Sequence, residues 1–153
     1  MRRYPLLLGF RDIVAGTGFQ ARVRADGRAL LREEEDGFWV DGVNPGGVAG
    51  GAGTLPEALA TFRENYRLVL LDAAAAAPSF DDFREEVLRF FVETCEVTSK
   101  EWEEAVQEIR EDRTVVDGLP RVSADRRIAM TIDLVDVPST KLTLPDEQTV
   151  IAA

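Results

Sequence analysis

The chain has no histidine and a single cysteine, Cys95, among its 153 residues. The missing histidine removes the commonest general base and the commonest metal-binding side chain. Ser-His-Asp triads, Cys-His dyads and histidine-rich zinc sites are therefore excluded. A lone cysteine permits no intramolecular disulfide and fits a reducing, cytoplasmic compartment. Cys95 sits between Glu93 and Glu96, whose charge opposes thiolate formation, so an inert thiol is expected. Long apolar runs are also missing. Leu6-Leu7-Leu8 follows Arg2 and Arg3, but Pro5 and Arg11-Asp12 bound it too closely for a secretory signal or a membrane span. The start reads instead as an N-terminal strand or arm. Positive charge is scarce, with 18 Lys and Arg against 28 Asp and Glu, a net charge of −10. Neutralising phosphates takes clustered cations, so direct nucleic-acid binding is disfavoured, whereas a basic protein is a fitting partner.

What is present suits a folded α+β chain, with 45% hydrophobic and 30% charged residues. Phe19, Ala21 and Val23 alternate with Gln20, Arg22 and Arg24, the period of a half-buried strand. Asp26-Gly27 predicts a tight hairpin turn, Ala29 to Arg32 a second strand, Asp36-Gly37 a second turn, and Phe38-Trp39-Val40 a third strand. The glycine-rich stretch from Asn44-Pro45-Gly46-Gly47 to Gly53 lacks the lysine of a phosphate-cradling loop and reads as a connection with a short edge strand. Thr54-Leu55-Pro56-Glu57 predicts a capping box, Thr54 accepting from the Glu57 amide and Glu57 reaching back. It opens a helix with Leu55, Ala58, Leu59, Phe62, Tyr66, Val69 and Leu70 on one stripe, running up to Pro78.

Two further helices follow. Ser79 caps one striped by Phe80, Phe83, Val87, Phe90 and Phe91, and Thr98 with Glu101 forms a second predicted capping box before Trp102, Ala105, Val106 and Ile109. From Phe80 to Asp112 there are twelve acidic and four basic residues. The aromatic stripes need a cover, and the small sheet with one helix offers limited area. Trp39, Phe83, Phe90, Phe91, Trp102, Glu103 and Ile109 are accordingly the candidate partner or oligomer interface. Asp117-Gly118 and Pro120 mark a turn, Ile128 to Leu134 a late strand returning to the sheet, and Ser139 to Ala153 an extended tail. The expected fold is a small antiparallel three- to four-stranded sheet packed by one long helix, with two added helices and the late strand. Its parts are 1–77 as meander plus helix, 78–113 as an acidic two-helix extension, and 114–153 as strand and tail of the same domain. No group of residues converges as a catalytic, metal or cofactor site. Glu33 to Asp36 alternate across a strand end, and Asp81, Asp82, Glu85 and Glu86 complement a helix N-terminus.

The ordered set Leu30 to Glu34, Asp36-Gly37, Phe38-Trp39-Val40, Pro45-Gly46 and Gly53-Thr54-Leu55-Pro56-Glu57-Ala58 resembles the HicB antitoxin family of bacterial type II toxin–antitoxin systems, over residues 29–74. The resemblance implies a partial ribonuclease-H-like fold without catalytic residues, self-association, and neutralisation of a small basic HicA-type ribonuclease by binding it. Such antitoxins usually carry a C-terminal DNA-binding domain. Here Pro138 and Pro145 interrupt the helices it would need. Three functions stay open: an antitoxin-like binding module, a stand-alone homo-oligomer of structural or regulatory type, and a carboxylate-dependent, metal-assisted enzyme.

Overall fold

A computed structural model describes residues 2–111 and 120–135. The apolar alternation of the N-terminus builds a full strand. Tyr4, Phe10 and Val14 are buried on one side of β1 (Arg2–Gly16), with Leu6 and Leu8 packed beside them. The chain turns at Thr17-Gly18, where Gly18 takes φ 78°, and returns as β2 (Phe19–Glu34) in unbroken antiparallel register from Gly16↔Phe19 to Arg2↔Glu33. The predicted turn at Asp26-Gly27 is therefore a correction. Both residues lie inside β2, paired with Gly9 and Leu8, and the two expected strands are one. Gly27 is needed for a different reason: a Cβ there would lie 2.0 Å from the Asn44 carbonyl oxygen. The preference of Asp-Gly for turns is local, and fifteen cross-strand pairs along β1 override it.

The second expected turn forms one residue earlier, at Glu35-Asp36 between the paired Glu34 and Gly37, and leads to β3 (Gly37–Asn44), which pairs with β2 through a register shift at Arg28/Ala29. The edge strand β4 (Ala49–Ala52) follows, and the late strand β5 (Ala129–Leu134) pairs antiparallel with Ala21 to Asp26 of β2. β3 and β5 thus share one edge of β2, end to end, in a five-stranded sheet of order β1-β2-β3-β4. The expected α+β architecture holds, with a larger sheet because β1 is a full member.

Helix α1 (Leu55–Ala76) buries Ala58, Phe62, Tyr66, Leu70 and Ala74, the stripe read from its 3.6-residue period. It lies on the front face of the sheet, the face carrying Phe10, Val14, Val23 and Leu31. Helix α2 (Phe80–Val92) is capped by Ser79 and adds Phe83, Val87 and Phe91 to the same core. Helix α3 (Glu96–Arg110) packs on the back face, where Trp102 and Val106 meet Val43 and Leu7. Alternation along β1 explains the split, since Leu7 points opposite to Leu6 and Leu8. Among the described residues no helix is long and apolar enough to cross a membrane. The turn at Asp117-Gly118 and the tail 139–153 lie outside the described residues.

Candidate functional site

The sheet is crossed where β3 ends. Asn44 is 3% exposed and is the buried polar residue of the described chain. Its Oδ1 accepts from Arg28 Nε at 3.0 Å and Nη2 at 2.8 Å, and its Nδ2 donates to the Phe91 carbonyl at 3.1 Å. The Arg28 guanidinium lies over the Trp102 ring, 5.1 Å from its centroid. Asn44 thereby links the end of α2 on the front face to α3 on the back. The connecting residues pass beside the Pro45-Gly46 corner, and Gly46 N–H donates to the Glu93 carbonyl. The glycine loop serves this crossing.

Around that junction α3 is fastened by charge. Arg3 donates to Glu108 at 2.8 Å and Glu104 at 3.4 Å, and Arg32 to Glu101 at 2.7 Å and Asp41 at 2.9 Å. The Arg32 hydrogen bond is the main cause that holds the Glu101 carboxyl below the usual glutamate range. Trp102 Nε1 donates to the Leu6 carbonyl at 3.2 Å. Tyr4 donates to Glu33 at 2.9 Å, and burial foremost pushes its phenol up.

The sequence-predicted residues separate into two groups. Phe83, Phe91 and Trp102 are buried by their own chain, and Phe90 is half-buried against the same front core. They are corrected from interface to core, because the sheet has two usable faces and the helices divide between them. Trp39 is 47% exposed over Gly51 on β4, Glu103 is exposed, and Ile109 is half-buried. Thr54 caps α1, with Glu57 N–H donating to its hydroxyl at 3.4 Å. Thr98 and Glu101 do not form the expected capping box. Both lie inside α3, whose N-cap is Cys95, and Glu101 is taken by Arg32 instead.

Sequence reasoning missed three features. The Arg3, Arg28 and Arg32 contacts join residues distant in sequence. Cys95 is exposed, and the Thr98 amide, the Thr98 hydroxyl and the Val97 amide at the start of α3 lower its thiol pKa, outweighing Glu101. The expected upward push of the carboxylates on this thiol is corrected in direction, since the helix start placed three residues too late hid these donors. The third is an exposed apolar pair at the crossing. Val92 and Val97 are 63% and 66% exposed, with Glu93 and Glu96 beside them. Among the described residues no group of three acidic or sulfur side chains is placed to hold a metal ion. No protein-family model, curated protein or solved structure matches this chain. The functional reading therefore rests on the chain's own surfaces.

Proposed function

We propose that the chain is a non-catalytic, cytoplasmic protein-binding module of the HicB-like kind, which engages a small basic protein resembling the HicA-type ribonucleases. One observation carries the reading: at the α2–α3 crossing, Val92 and Val97 stand exposed beside Glu93 and Glu96, with Arg89 paired to Glu93 and Lys100 three residues after Val97. An apolar contact on a segment with a net acidic excess suits a partner of the opposite sign, with charge setting the encounter rate and apolar burial the residence time. The apolar stripes of α2 and α3 are already used inside, so their outer sides present polar groups. Asp81, Glu85, Glu96 and Glu103 are exposed and pair with no cation among the described residues.

The test is coexpression with the product of an adjacent short gene encoding a basic protein. That neighbour alone should arrest growth, and coexpression should relieve the arrest with copurification of the two. Charge reversal at the crossing, E93K/E96K, should weaken binding by about tenfold or more at low salt and much less at high salt. Absence of rescue sinks the antitoxin reading. A stable homo-oligomer with no copurifying protein would favour the structural or regulatory alternative.

A further inference from the structure

A groove of about 820 Å³ runs along the outer edge of β1, away from the α2–α3 crossing. Its floor is the strand from Tyr4 to Leu8. Leu55 and Leu59 at the start of α1 form one wall, and Val106 and Ile109 at the end of α3 form the other. The segment from Pro120 to Ala124 closes the side. Arg63, Arg110 and Arg121 are the charged residues of the described lining, which includes no carboxylate. In a chain with 28 acidic and 18 basic residues, three arginines among the described lining residues are a local excess of positive charge.

The arginines are available. Arg63 gives its Nε–H to the Gly9 carbonyl at 3.2 Å, Arg110 meets the exposed Asp125 only at 3.6 Å, and Arg121 is exposed. The floor is the edge of a sheet, yet it resists an added strand. Pro5 lacks an N–H, Arg63 occupies the Gly9 carbonyl, and Asp12 Oδ1 takes the Ile13 amide at 2.8 Å. These interruptions at Pro5, Gly9 and Ile13 disfavour an extended peptide paired along β1. The volume lies within the usual range of small-molecule pockets, roughly 300–1,000 Å³.

From these features we infer that the β1 groove binds a free long-chain fatty acid, the acyl chain along Leu6, Leu59 and Ile109 and the carboxylate at the arginines. Guanidinium forks fit a carboxylate with two parallel N–H donors. The inference is independent of the antitoxin-like reading, and its test uses no protein partner.

The measurement is displacement of a dansyl-labelled undecanoate from the full chain by palmitate, with hexadecanol and hexadecyltrimethylammonium as comparators. Palmitate should displace the probe at micromolar concentration, and each comparator should be at least tenfold weaker. R110E/R121E alters two exposed side chains outside both cores. It should lose at least tenfold in palmitate affinity with an unchanged melting temperature. Failure of palmitate to displace the probe, or equal competition by the cationic amphiphile, overturns the inference. So does an arginine variant that binds as tightly as the parent. A dimer that excludes the probe and is dispersed by Ile109→Glu would assign the groove to a second copy and equally overturn it. Binding to anionic vesicles without binding to monomeric palmitate would do the same.

Discussion

Two buried polar side chains show how differently single residues contribute to this fold. Asn44 is bonded at both ends of its amide, receiving two donors from Arg28 and giving one to Phe91 O. The Tyr66 hydroxyl is buried in the front core and has no partner among the described residues, and burial pushes its phenol pKa up. Leaving buried partners unsatisfied costs about 1–3 kcal/mol, while removing an unpaired polar group is neutral or favourable. Asn44→Ala should therefore destabilise by about 2–3 kcal/mol, through Phe91 O and the Arg28 guanidinium. Tyr66→Phe should leave stability unchanged or raise it by up to about 1 kcal/mol, since the ring contacts with Phe10 remain. Urea unfolding midpoints of the two variants compare these directly. A loss for Tyr66→Phe as large as for Asn44→Ala would show that the hydroxyl is satisfied after all.

At the level of elements, α3 shows an acid-sensitive attachment. Glu101 has a folded pKa below its unfolded value, chiefly through Arg32, so its contribution is complete above the ordinary glutamate range. That contribution disappears as pH falls through the lowered folded value. Glu101→Gln should cost about 1 kcal/mol at neutral pH, allowing for solvent screening of a partly exposed pair. The gap from the parent should close in acid, and chemical denaturation from pH 7 to pH 3 reads it. A gap that stays constant with pH would mean that packing, not charge, accounts for the loss.

The elements themselves were largely legible. The stripe of α1, the Ser79 and Thr54 caps, the turn before Gly37 and the alternation of β5 all depend on neighbours within a few residues. What was hidden depends on distant partners. Nothing local to Asp26-Gly27 reveals that β1 lies alongside, and nothing local to Glu101 reveals Arg32 sixty-nine residues away. The candidate surfaces follow the same rule. The aromatic stripes were legible as apolar faces, but whether a partner or the chain's own sheet covers them is decided by topology.

At the scale of the whole molecule, the two cores are unequal. The front core joins four strands to α1 and α2, whereas the back cluster has Val43, Trp102 and Val106 as its buried members, with Leu7 and Ala124 beside them. α3 is held by that small cluster and by partly exposed ion pairs, each worth little in water. Elements with few buried apolar contacts open at lower free energy than the global transition. Hydrogen exchange should therefore show α3 amides exchanging through a sub-global opening while α1 keeps the protection of the full fold. Trp102→Ala should widen the difference, because it removes the main apolar anchor, the Arg28 contact and the bond to Leu6 O together. The front core need not open when α3 lifts, since none of its buried members belongs to the back cluster. Equal protection of α1 and α3 in the parent would instead mean that the Asn44 junction couples both faces into one cooperative unit.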